Sequence, residues 1–271
     1  MTTSPSGAPS SPPKSEPGGS PRWGLRLVLL TLALAVSGQL TASVAGQLGA
    51  RHAERHAPAG TSQTARSGEV MALAAALALT DRAAAEAALA RLIRETDSED
   101  VARTAAAALI DARAEDWPAD HRGAFFRSMA PEALLAAREH ALPPSVMLAQ
   151  AALESGWGRS TLATRYNNFF GMKAGRAAAA AVLLETVEGV GTPARARFRQ
   201  YESLGASVRD HARLIAGDPR YAAAQDAAGD WRRYAAALAP VYATDPAYAE
   251  RLVYLVERYE LHRLDDLLQA G

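Results

Sequence analysis

Residues 144–155, PSVMLAQAALES, constrain this chain more than any other stretch. Val146, Met147, Leu148, Ala149, Ala151, Ala152 and Leu153 cover nearly every side of a helix of that length. Such a helix needs neighbours all round and belongs at the centre of a helical domain. Pro144 suits the first turn, where its missing N–H costs nothing, and Gly156 is placed to end the helix. Glu154 then sits in the last turn. Apolar surroundings disfavour an ionised carboxylate, and so does the partial negative charge at a helix C-terminus. A carboxylic acid that keeps its proton near neutral pH is what general-acid cleavage of a glycosidic bond requires. The competing reading is an ordinary solvated Glu154, or one paired with Arg159 or Lys173.

The bulk properties narrow the partners. Lys+Arg and Asp+Glu both total 29, so the formal net charge is zero, which argues against nucleic-acid binding. With no cysteine in 271 residues, thiol catalysis, disulfides and cysteine-bound zinc are excluded. His52 and His56 have the i, i+4 spacing of helical metal ligands. Pro58, Gly60 and the lack of a third ligand make that segment a solvated linker instead. No metal and no cofactor are expected.

Residues 1–21 are rich in Pro, Ser and Gly and read as a disordered leader. Arg22 and Arg26 then precede an uncharged run from Leu27 to Ala50. Its strongly apolar part has the length of a signal-peptide core, and the whole run reaches the ~20 residues that span a bilayer. The expectation is an uncleaved anchor over 22–50 with the N-terminus inside; a signal cleaved near Ala45-Gly46 is the alternative. Either way the rest of the chain lies outside the cytoplasm, in the periplasm or cell-wall space.

Residues 51–67 form a linker, and 68–116 a helical spacer with no chemistry of its own; Thr96-Asp97-Ser98-Glu99 resembles a capping box. Trp117-Pro118 marks the start of a catalytic domain over 117–271.

Six stretches occur in a fixed order: LAQAALESGWGRS (148–160), YNNFFGMKA (166–174), FRQYES (198–203), SVRDHARLI (207–215), DPRYAAA (218–224) and YATDPAYAERL (242–252). Together they resemble the glucosaminidase domain of glycoside hydrolase family 73, over roughly residues 122–262. The resemblance implies a mainly α, lysozyme-like α+β domain with a small β-hairpin lobe. It also implies cleavage of the β-1,4 bond after N-acetylglucosamine in peptidoglycan, with Glu154 as the catalytic acid.

A second carboxylate is implied on the hairpin. AVLLETVEGVGTPARARFRQY reads as that hairpin, turning near Glu188 to Gly191. Glu185 and Glu188 fall on opposite strand faces, and Glu185, within the strand, is the choice. Tyr242 matches a family tyrosine near the catalytic centre, though a buried tyrosine with a satisfied hydroxyl fits as well. Trp157, Asn167, Asn168, Phe170 and Tyr221 are the candidate substrate contacts. For Trp157 a bracing role in the core competes, and for the asparagines a turn-fixing one. His211 reads as a locally packed helix residue, and Asp245-Pro246 as a helix start.

The function expected is peptidoglycan hydrolysis by a membrane-tethered enzyme acting on the glycan strand. A lytic transglycosylase with 1,6-anhydro products, or a catalytically silent wall-binding or scaffolding module, are the alternatives. The intact ESGWG motif speaks against the silent module, which has no use for a buried acid. Retaining, inverting and substrate-assisted routes all stay open.

Overall fold

The computed structural model describes residues 81–175, 181–188 and 192–269, with the backbone alone at 184–188 and 192–194. The expected leader, the anchor at 22–50, the linker and the first part of the spacer lie outside the described residues. So does unit Met1–Arg51; all described residues belong to the unit His52–Gly271. Among them, no helix is long and apolar enough to cross a membrane.

The described chain is mainly helical. It runs α1 (Arg82–Glu95), α2 (Glu99–Ala112), a 3₁₀ turn (Ala114–Asp116), α3 (His121–His140), α4 (Pro144–Ser155) and α5 (Thr161–Tyr166). The hairpin β1 (Ala181–Glu188) and β2 (Thr192–Arg199) follows, then α6 (Leu204–Gly217) and a 3₁₀ turn (Pro219–Tyr221). The chain continues through α7 (Ala222–Gln225), α8 (Trp231–Tyr242), α9 (Tyr248–Arg258) and α10 (His262–Gln269).

The all-round apolar helix is central. Every residue of α4 from Pro144 to Ala152 is buried, and α3, α8, α9 and α10 pack around it. Pro143 precedes α4 without a side-chain cap. That role falls to Asp265 on α10, whose carboxylate accepts the Ser145 N–H at 2.9 Å and the Ser145 hydroxyl at 2.5 Å. A capping oxygen at the second helical N–H satisfies a donor that the helix itself leaves unpaired.

At its other end α4 unwinds abruptly. Gly156, Trp157 and Gly158 are successive left-handed residues, with φ of 55°, 61° and 75°. Glycine adopts this conformation freely, but for tryptophan it costs about 1–2 kcal/mol. Packing holds Trp157 there, its ring set edge-on against Phe125 and Phe126 and tilted steeply against Tyr259, with centroids 5.4–6.1 Å away. The buried Ser155 ties the turn together by donating to Ala151 O and accepting from the Gly158 N–H.

The helices expected as a spacer do not stand apart. Leu89 and Ile93 of α1 and Leu109 of α2 share one core with Phe126, Leu148 and Leu252. Arg94 donates to Leu267 O at 2.7 Å, Arg103 meets Glu132 at 2.5 Å, and Arg138 donates to Thr96 O. A buried ion pair, Arg113–Glu86 at 2.6 Å, is flanked by Arg82 and Asp116. The boundary expected at Trp117 therefore falls inside a packed unit, and Trp117 itself is buried, donating to Tyr259 O. Alanine-rich helices give a weak sequence signal for burial, because alanine is at home on either face.

The hairpin matches the segment read from sequence. Its antiparallel register sets Val182 opposite Phe198, Glu185 opposite Arg195 and Glu188 opposite Thr192. Lys173 bridges Phe198, and Arg199 N–H donates to Met172 O, joining the hairpin to the turn after α5.

Candidate active site

Glu154 lies on the last turn of α4, one residue before its end. It is exposed on one side, while the protein crowds its carboxyl from the other. Burial of that inner side raises its pKa, and a single hydrogen bond opposes the rise. The donor is the Tyr248 hydroxyl at the start of α9, 2.7 Å from Oε1. Among the described residues Glu154 forms no ion pair, so neither Arg159 nor Lys173 neutralises it.

An aromatic wall stands behind this pair. Tyr242 stacks on Tyr248 with centroids 5.6 Å apart and 18° between planes. His211 meets Tyr242 edge-on at 5.8 Å, and Phe170 stacks on His211 at 3.9 Å. Tyr221 is 6.5 Å from Tyr242. Burial, with the Glu154 charge next, raises the Tyr242 and Tyr248 pKa values well above that of free tyrosine, so both stay phenols. His211 is 1% exposed, and burial pushes its pKa down to about 3. It is a neutral packed ring, as the helix reading expected.

The structure places the other candidates as follows. Tyr242 and Tyr221 join the wall near Glu154. Phe170 is buried against His211 and is not an open cleft floor. Asn167 caps α5 in a left-handed conformation and donates to Tyr201 O. Asn168 donates to Met172 O and Arg199 O and accepts the Met172 N–H. Both asparagines thus fasten the turn to the hairpin through backbone bonds, the turn-fixing use that the sequence also offered, and Asn168 is buried with both ends of its amide engaged. Trp157 is likewise a brace: three aromatic rings surround it, and the Arg122 guanidinium lies 5.1 Å from its centroid.

Glu185 sits within β1 on the face of position 183, and Glu188 on that of Val182, as strand alternation requires. Phe198, opposite Val182, is buried, whereas Leu183 is 56% exposed. The side chains of Glu185 and Glu188 lie outside the described part. Among the described residues no three His, Asp or Glu side chains group to hold a metal ion.

Sequence reasoning missed Tyr248. The only signal was its place in YATDPAY, two residues after Asp245-Pro246. Asp245 accepts the Ala247 N–H at 2.9 Å, and α9 begins at Tyr248, later than the Asp-Pro pair suggested.

A mainly helical domain with one small hairpin, holding a half-sheltered acid at the end of its central helix, is a lysozyme-like glycosidase domain. Comparison with known proteins gives the family. Residues 130–261 match the glucosaminidase model, described as mannosyl-glycoprotein endo-beta-N-acetylglucosaminidase. The exo-glucosaminidase LytG of Bacillus subtilis is 36% identical over 157 residues, 55% of each chain. The peptidoglycan hydrolase FlgJ of Vibrio cholerae is 35% identical over 142 residues, 49% of this chain and 42% of that one. The crystal structure of the catalytic domain of the autolysin Auto from Listeria monocytogenes matches with a TM-score of 0.51 and 33% identity, covering 55% of this chain and 89% of that one. The chain belongs to the glucosaminidase family of glycoside hydrolases, family 73. It spans about half the length of the curated relatives it matches.

Proposed function

We propose that this protein is a peptidoglycan hydrolase that cleaves the β-1,4 glycosidic bond after N-acetylglucosamine, with Glu154 as general acid. The observation that carries this reading is the setting of Glu154. Its pKa is raised by burial, no cation pairs with it among the described residues, and its other side is open to a substrate. An acid in that state protonates the leaving oxygen as the bond to the anomeric carbon breaks. The similarity to an exo-glucosaminidase and to a peptidoglycan hydrolase supports the substrate class.

Glu185 is our assignment for the second carboxylate, with Glu188 its alternative, and Tyr242 belongs to the wall that shelters the acid. We place the catalytic domain in the periplasm or cell-wall space, tethered through residues 22–50. The charge-free run from Leu27 to Ala50, behind Arg22 and Arg26, supports that placement.

The test digests purified peptidoglycan with the full chain, wild type beside Glu154→Gln, Glu185→Gln and Glu188→Gln, and identifies product ends by mass spectrometry. New reducing N-acetylglucosamine ends from the wild type and not from Glu154→Gln are expected. Anhydro ends would replace hydrolysis by transglycosylation, and equal activity in Glu154→Gln would sink the assignment.

A further inference from the structure

A carboxylic acid has two oxygens, and only one can deliver the proton. We propose that Tyr248 is the positioning residue for the Glu154 acid: its hydroxyl, donating to Oε1, confines the transferable proton to Oε2 and steadies the carboxylate left behind. This inference rests on the reading of Glu154 as general acid.

The hydrogen-bond chemistry leads there directly. Tyr248 stays a phenol with one proton, which it gives to Glu154 Oε1 at 2.7 Å. In a protonated carboxyl the oxygen without the proton is the better acceptor. The oxygen engaged by Tyr248 is therefore the carbonyl one, and the acidic proton sits on its partner. When that proton passes to the glycosidic oxygen, the same phenol becomes a donor to an anion, a stronger bond than the one it replaces. The contact thus tightens along the reaction, as transition-state stabilisation requires.

Tyr248 is also held as a positioning group should be. It is 5% exposed and braced on its ring face by Tyr242, which His211 meets edge-on with Phe170 stacked behind it. Its N–H donates to Asp245 O at 3.1 Å, and Asp245 in turn pairs with Arg251 at 3.0 Å. Around the pair, α4 supplies Gln150 beside the Tyr248 hydroxyl, α8 supplies Tyr242, and the 3₁₀ turn supplies Tyr221. None of these carries a charge at neutral pH, and His211 stays neutral. Burial and the Tyr248 bond are then the two opposed influences on Glu154. Removing the bond leaves burial alone and moves the loss of the proton to higher pH.

Tyr248→Phe keeps the ring and deletes the donor. Turnover of peptidoglycan by the full chain is measured across pH, with Glu154→Gln alongside. We expect KM to hold, kcat to fall about ten- to hundredfold, the size of one hydrogen bond to a charged group, and the alkaline limb to move to higher pH. Should Tyr248→Phe fail to fold, a ring-fluorinated tyrosine at 248 is the second variant: a stronger donor, it should move that limb to lower pH. A kcat within twofold of wild type and an unmoved limb in the foldable variant overturn the role of Tyr248. Activity retained by Glu154→Gln overturns the reading of Glu154 itself, and the two failures are told apart on one plate.

Discussion

The two ends of α4 each hold a carboxyl group, and they differ in access, in partners and in the helix field they meet. At the N-terminus Asp265 arrives from α10, is 2% exposed, and receives both the N–H and the hydroxyl of Ser145. The helix field there favours a negative charge. At the C-terminus Glu154 belongs to the helix itself, is open on one side, and receives a single phenol; the field there opposes its charge. Burial raises both pKa values. The comparison teaches that a shifted pKa does not by itself mark a reacting group. Asp265 is sealed and doubly engaged, hence a fastener, while Glu154 has one oxygen without a hydrogen bond among the described residues, and a way in.

The largest effects should separate the two ends cleanly. Glu154→Gln should lower peptidoglycan turnover about hundred- to ten-thousandfold, the range of a lost general acid, while the urea midpoint stays at the wild-type value. Asp265→Ala should do the reverse. It strips the cap from α4 and leaves a buried hydroxyl unpaired, for about 2–4 kcal/mol of lost stability, with turnover per folded molecule unchanged. Matching losses of activity in both variants would erase the distinction.

The pH dependence sharpens it. The Asp265 pKa is pushed up to about 7, first by burial and least by neighbouring Asp266, against the two bonds from Ser145. Below about pH 4 the carboxyl is protonated in the folded and the unfolded chain, and nothing is lost. Between about pH 4 and 7 the unfolded chain ionises first, so stability falls as pH rises, by on the order of 4 kcal/mol across that window. Asp265→Asn keeps an acceptor for the Ser145 N–H and carries no proton to lose. Urea melts of this variant should show a flatter profile than the wild type from pH 4 to 7. An unchanged slope would mean that Asp265 does not titrate there.

Legibility followed distance along the chain. The central helix, its terminal acid and the turn behind it could be read because their signals are local: an apolar run, a charge and two glycines within fifteen residues. The hairpin was legible too, from strand alternation around a glycine turn. What escaped were partners brought in from far away. Tyr248 stands 94 residues from Glu154, and Asp265 stands 120 from Ser145. No local pattern encodes such pairings. For Asn167 and Asn168 the sequence left two uses open, because an amide that ties a turn looks the same there as one that holds a sugar; the backbone bonds to Tyr201, Met172 and Arg199 come from far along the chain or from the turn itself. The membership of α1 and α2 in the core was hidden by alanine.

The smallest effects test how far the exit of α4 governs its acid. At Gly158 a Cβ would meet Phe125 Cδ2 at 3.1 Å in a backbone with φ of 75°, so Gly158→Ala adds crowding to strain. At Gly156, with φ of 55°, a Cβ would meet nothing within 4 Å, so Gly156→Ala costs strain alone, about 1 kcal/mol by urea melts. Glu154 lies two residues before Gly156. If the left-handed turn aims the carboxyl, Gly156→Ala should lower kcat more than its stability loss accounts for, whereas a capping loss at the far end should not. A variant that loses stability and keeps full turnover would show that the left-handed turn does not fix where the acid points.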